Sequence, residues 1–208
     1  MIRNIIFDMG GVLIHYVPRE ILSHLKLSGE DEALLMREMF NSVEWVRLDR
    51  GTISHEDAVA AMQARLPQHL HAAVEQVVGG WWELELRPME GMEPLLAELK
   101  RLGYGLYLLS NATARQPEYF DRIPGSQYFD GRIISAHYKL LKPQKEIFDT
   151  LLREYGLQAE ECFFVDDLNI NIEGAFCAGI AGAVFDGDVP RLRRTLRAAG
   201  AAVELGEN

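Results

Sequence analysis

The first residues of the chain, Ile2-Arg3-Asn4-Ile5-Ile6-Phe7, form a short apolar run rich in β-branched side chains, and Gly10-Gly11 breaks it. A run of this kind suits a strand buried on both faces. Similar runs return at Tyr104 to Leu109, Arg132 to Ser135, Cys162 to Val165 and Ala181 to Phe185. Helical or loop sequence separates each from the next, the signature of a parallel α/β sheet. The intervening helices are legible. Met92, Leu95, Leu96, Leu99 and Leu102 share one face, closed by Gly103. Ile147, Phe148, Leu151, Leu152 and Tyr155 share another, closed by Gly156. Ile172, Ala175 and Phe176 make a third stripe, closed by Gly179.

Residues Val17 to Arg87 differ, because they contain no convincing strand. Leu35, Met36, Met39, Phe40 and Val43 form one helical stripe; Val59, Met62 and Leu66 suggest a second, and Leu70, Val74, Val77, Val78 and Trp81 a third. Pro88 marks the return to the α/β layer. The expected organisation is a core of residues 1–16 and 88–208 with a helical insert, 17–87, directly behind the first strand. An insert at that place sits over the carboxyl ends of the strands, where open α/β sheets bind ligands. It therefore reads as a cap.

Charge narrows the partners. Among 208 residues, acids outnumber bases 31 to 21, a net charge of −10. That argues against a nucleic-acid binder, which needs a basic face, and against a polybasic membrane anchor. No apolar run approaches the roughly 18 residues a spanning helix needs. The opening residues are too soon interrupted for a secretory signal, so the expected location is the cytoplasm. Cys162 and Cys177 share no metal or redox spacing and are expected to be buried thiols.

Carboxylates stand where the strands end: Asp8 after the first, Asp166 and Asp167 after the fourth. If those two strands are neighbours, Asp8 and Asp167 converge. Close carboxylates raise one another's pKa values unless a cation intervenes, and oxygen-only ligands suit Mg²⁺ better than Zn²⁺. The plainer alternative is that Asp166 or Asp167 caps the helix from Asn169 and Asp8 a glycine turn. Ser110-Asn111 ends the second strand and Lys142 precedes a helix expected to start at Pro143. Together with backbone N–H groups after Asp8, they would hold a phosphate.

Four motifs in this order resemble those of the haloacid dehalogenase-like hydrolases: Asp8-Met9-Gly10-Gly11-Val12, Ser110-Asn111, Lys142-Pro143 and Asp166-Asp167. The likeness covers the whole chain, including a helical cap between the first and second motifs. The resemblance implies a Rossmann-like core, a small phosphorylated substrate, and a monomer or homodimer. It is nearest to the branch containing bacterial α-glucose-1-phosphatase, where the first motif also ends in glycine; Leu48-Asp49-Arg50-Gly51-Thr52-Ile53-Ser54 resembles that branch too. It implies Asp8 as the nucleophile, forming an aspartyl-phosphate. Mg²⁺ would be held by Asp8, the backbone carbonyl of Gly10 and Asp167. Ser110 and Lys142 would bind phosphoryl oxygens with Asn111 in support, and Asp166 would orient Lys142 or a metal-bound water. Within the cap, Trp45, Arg47 and Arg50 are the expected substrate-binding residues.

Most phosphatases of this family carry an acid two residues after the nucleophile, where this chain has Gly10. A group of that kind is worth roughly 10²–10⁴-fold. Three readings follow: a phosphatase whose substrate needs little acid help, such as a sugar 1-phosphate; a 2-haloacid dehalogenase; or a module that binds phosphorylated ligands or proteins without turnover. In the first, solvent or a group such as His15 or Asp49 supplies the missing proton.

Overall fold

The structure is a computed structural model, and it describes residues 1–205. Five parallel strands make the main sheet: β1 (Asn4–Phe7), β4 (Gly105–Ser110), β5 (Gly131–Ile134), β6 (Cys162–Asp166) and β7 (Ala181–Val184), in the order β5-β4-β1-β6-β7. Two further strands, β2 (Ile14–His15) and β3 (Arg87–Pro88), pair antiparallel. All five expected strands form. The first and fourth of them are neighbours, with Asn4 opposite Cys162 and Phe7 opposite Val165. After β1 the chain builds outward through β4 and β5, then returns to β6 on the other side. The strand order therefore reverses between β1 and β6, and the crevice at their carboxyl ends is where such sheets bind ligands.

Alternation along the strands divides the core. Ile5, Phe7, Leu106, Leu108, Phe163 and Val165 bury one way; Ile6, Tyr107, Leu109, Cys162 and Phe164 bury the other. The second face packs against α9 (Lys145–Tyr155), through Ile147, Phe148 and Leu151, and α10 (Asn169–Cys177), through Ile172 and Ala175. The first face packs against α6 (Met92–Arg101), through Met92, Leu95, Leu96 and Leu99, and α11 (Val189–Ala198), through Leu192 and Leu196. Both faces are thus covered, as a parallel sheet requires.

The stretch between β2 and β3 is helical: α1 (Pro18–Ser23), α2 (Gly29–Leu35), a wide turn at Met36–Phe40, α3 (Val43–Arg50), α4 (His55–Gln63) and α5 (His71–Gly80). Serine caps start three of these: Ser28, Ser42 and Ser54 accept from the amides of Asp31, Trp45 and Asp57. The apolar side chains of this block join the same continuous cluster as the first sheet face. Short helices α7 (Pro117–Phe120) and α8 (Ser135–Tyr138) complete the chain. No helix among the described residues is long and apolar enough to cross a membrane.

Several local expectations are corrected. Arg87 belongs to a strand, because the block leaves and returns through the β2–β3 pair. Val43 is exposed, since the helix breaks at Asn41 and α3 restarts with a new cap. Leu102 lies past the last turn of α6 and is largely exposed. Phe176 and Cys177 face solvent at the end of α10, so only Cys162 is a buried thiol.

Candidate active site

β1 and β6 bring Asp8, Asp166 and Asp167 together: one carboxylate oxygen from each lies within 4.8 Å of the others. Lys142 sits among them with its side chain sealed from solvent. Its Nζ is 2.7 Å from Asp8 Oδ1 and 2.7 Å from Asp166 Oδ2. Burial alone would lower the lysine pKa, but the two carboxylates outweigh it and hold Lys142 above its ordinary value. Burial pushes Asp8 up to about 7; Lys142 pulls the other way and Asp166 adds to the rise. Burial, then Asp166, also raises Asp167.

The three carboxylates are not equivalent. Asp166 is fully buried, and both its oxygens are occupied. Oδ1 accepts from the Leu168 amide (2.9 Å) and Asn171 Nδ2 (2.9 Å), while Oδ2 accepts from Lys142 and again from Asn171 (3.1 Å). The turn role that an aspartate takes at a helix start and the lysine-orienting role are both filled by this one side chain. Asp8 accepts from Met9 N and Lys142 on Oδ1 only, and Asp167 makes no side-chain hydrogen bond among the described residues. Two raised, under-partnered carboxylates beside a backbone turn suit a hard divalent cation such as Mg²⁺, which favours oxygen ligands. Asp8, the Gly10 carbonyl and Asp167 are the residues that would hold it.

The glycines of the first motif make this geometry possible. Gly11 has φ +73, and a Cβ there would stand 2.5 Å from Asp167 Oδ2. Only glycine lets the β1 turn and that carboxylate approach so closely. Gly174 does the same for α10, where a Cβ would meet Pro143 O at 2.4 Å. Of the amides after Asp8, Met9 N donates to Asp8 itself and Gly11 N to Ile14 O. That leaves Gly10 N–H, rather than a full row of donors, for an anion.

A cavity of about 200 Å³ opens above this corner. Asp8, Gly10, Ser110, Asn111, Lys142 and Asp167 line its floor. Asn111 is committed on both sides of its amide: Nδ2 donates to Lys142 O (3.1 Å) and Oδ1 accepts from Lys142 N (2.8 Å). It fixes the lysine loop rather than standing free. The roof is aromatic: Tyr16, Trp45, Trp81 and Tyr119, with Asp49 beside them. Trp81 packs edge-on to Tyr16 (5.0 Å) and Tyr119 (5.4 Å), and Trp82 stacks on Tyr119 (4.7 Å). The helical block is clipped to the sheet here, since Ser135 Oγ donates to Asp49 O (2.5 Å) and accepts from Ala112 N (2.9 Å).

Of the three expected residues in α3, the structure places only Trp45 at the cavity. Arg47 is exposed and Arg50 half-buried, and neither lines it. Trp45 and Asp49, four residues apart, share the inward face of α3, whereas position 47 points about 200° away. His15 lies in β2, outside the lining. Sequence reasoning missed Asn171, Tyr16 and Tyr119. A buried Asn on the inner stripe of α10 was a readable signal; the tyrosines carried none.

Comparison with known proteins agrees with this geometry. The family model described as haloacid dehalogenase-like hydrolase matches residues 2–179. The sesquiterpene phosphatase astK of Aspergillus oryzae is 32% identical over 184 residues, 85% of this chain and 86% of that protein. The D-ribitol-5-phosphate phosphatase of Bacteroides thetaiotaomicron is 27% identical over 83% of this chain and 86% of its own length. A haloacid dehalogenase-family enzyme of Bacteroides thetaiotaomicron, crystallised with magnesium and inorganic phosphate, superposes with a TM-score of 0.71 at 22% identity, covering 92% of this chain and 99% of that one. With a match spanning most of its length, the chain belongs to the haloacid dehalogenase-like hydrolases.

Proposed function

We propose that the protein is a Mg²⁺-dependent phosphatase that hydrolyses a small phosphate monoester through an aspartyl-phosphate on Asp8. The observation that carries this reading is the Lys142 ammonium held 2.7 Å from both Asp8 and Asp166 on the floor of a cavity that Asp167 also lines. Lys142, Ser110 Oγ and Gly10 N–H bind the phosphoryl oxygens. Asp8 attacks phosphorus in line with the leaving oxygen. Asp166 and Asn171 keep Lys142 aimed, and Asn111 anchors its backbone. Mg²⁺, when bound, neutralises charge between the phosphoryl group and the carboxylates. In a chain of net charge −10, attraction for an anionic substrate is local. The helical block 17–87 acts as the cap and sets the organic part of the substrate.

Within that class, a sugar 1-phosphate is supported by the glycine at position 10 and by the likeness of Leu48 to Ser54 to the α-glucose-1-phosphatase branch. When the P–O bond breaks, the sugar leaves phosphorus as its C1 hemiacetal oxyanion, and its C–H face stacks on Trp45 or Trp81. The four aromatic rings also favour a second substrate class, esters of apolar carbon chains, as the relative that acts on sesquiterpenes suggests. Phosphate release from p-nitrophenyl phosphate with and without Mg²⁺ tests the reaction, and glucose 1-phosphate, ribitol 5-phosphate and farnesyl phosphate compared side by side sort the substrate. Absence of Mg²⁺-dependent release from all four would leave a binding module. Halide release from 2-haloacids without metal would favour a dehalogenase.

A further inference from the structure

Position 10, where the family resemblance implies an acid, is glycine, and a side chain there would press on Tyr16. A Cβ built on Gly10 would lie 3.3 Å from Tyr16 Cβ and 3.6 Å from its Cγ. Tyr16 therefore packs directly against position 10. One other acid lines the same cavity outside the strand-end cluster: Asp49, from the inward face of α3. Its carboxyl makes no hydrogen bond or ion pair among the described residues, although its backbone carbonyl is tied to Ser135. Gly51, with φ +71, lets the end of α3 press so close to the sheet side that a Cβ would meet Ala136 O at 2.1 Å. Asp49 is thus held at the cavity by the contacts of α3 with Ser135 and Ala136.

Resting on the phosphatase reading, we propose that Asp49 is the general acid and base of this enzyme, delivered from the helical block in place of the missing acid at position 10. In the first step Asp8 Oδ bonds to phosphorus, the ester P–O bond breaks, and the leaving oxygen takes the proton of the Asp49 carboxyl. In the second, the Asp49 carboxylate removes a proton from water as that water attacks the aspartyl-phosphate. Phosphate departs, Asp8 is regenerated and Asp49 is protonated again. Burial pushes the Asp49 carboxyl well above the ordinary carboxylate range, which favours the protonated form that the first step uses. Tyr16, Trp45 and Tyr119 line the cavity with it and make its surroundings largely apolar.

The test is the leaving-group dependence of Asp49→Asn. With Mg²⁺, kcat/KM for p-nitrophenyl phosphate, whose leaving group needs no acid, is expected to fall less than about tenfold. For phenyl phosphate, which does need one, it is expected to fall roughly 10²–10⁴-fold. A burst of nitrophenolate equal to the enzyme concentration should appear, since removal of the base slows the second step. Asp49→Glu, which keeps a proton to give, should recover part of the phenyl phosphate activity. Equal losses on both esters, or no loss on either, would overturn the assignment. Should Asp49→Asn not melt cooperatively, Asp49→Ser carries the same comparison. Failure of the phosphatase reading looks different: the unmodified protein would release phosphate from neither ester.

Discussion

The floor and the roof of the cavity are built by different rules. On the floor, Asp8, Ser110 and Asp166-Asp167 each end a strand or directly follow one, so sheet topology alone brings them together. On the roof, Tyr16, Trp45, Asp49, Trp81 and Tyr119 come from separate segments and meet only through packing. The floor is charged and fixed by hydrogen bonds; the roof is apolar and fixed by ring contacts. The difference teaches that groups at strand ends are brought together by topology, whereas the roof groups, Asp49 included, are brought together by tertiary packing.

Four measurements sharpen or break that division. The largest effect is expected from Lys142→Met, which leaves Asp8 and Asp166 buried without their cation. It should abolish phosphate release and, without divalent metal, cost about 3–5 kcal/mol in chemical denaturation. A stable, active variant would mean the floor is not an electrostatic unit. Next comes Gly11→Ala. Its methyl would displace the Asp167 carboxylate and strain a left-handed backbone, weakening Mg²⁺ binding by roughly 10–100-fold in a calorimetric titration.

The roof should respond otherwise. Trp45→Ala is expected to raise KM for the preferred ester by up to roughly tenfold, the scale of an aromatic contact, while inhibition by inorganic phosphate stays the same. Arg47→Ala, outside the cavity, should change neither. If Trp45→Ala weakened inorganic phosphate equally, floor and roof would not be separable.

The smallest effect concerns pH. Asp8 moves from 3.8 in the unfolded chain to about 7 when folded. A raised carboxyl binds its proton more readily in the folded state, so its contribution is fully present below pH 3.8 and is lost as pH rises towards 7. Without metal, the melting temperature should fall from pH 5 to 8 more in the unmodified protein than in Asp8→Asn. If Mg²⁺ binds the carboxylate as proposed, it should restore more at pH 8 than at pH 5. Parallel pH profiles for the two proteins would refute this.

The sequence revealed the floor because its signals are local. An apolar run followed at once by an acid, as at Phe7-Asp8 and Val165-Asp166, states both the strand and its useful end. Helical stripes such as Leu95, Leu96 and Leu99 were equally plain. What stayed hidden depended on distance in space. Nothing near Tyr119 says that its ring stacks on Trp82, and a serine at 135 does not announce a bond to the carbonyl of residue 49. Helical angle, not residue chemistry, decides which side chains of α3 face the cavity: Trp45 and Asp49 lie one turn apart, and Arg47 lies opposite.

Pairing of Asn4 with Cys162 has a consequence for how the molecule comes into being. During synthesis Asp8 is made well before Lys142 and Asp166, its electrostatic partners. A nascent chain can pair β1 with β4 long before β6 is available, and in that interval Asp8 stands without Lys142 and Asp166 beside it. Capture of ligand is therefore a late event, available to stabilise the finished protein by mass action but not to guide its early folding.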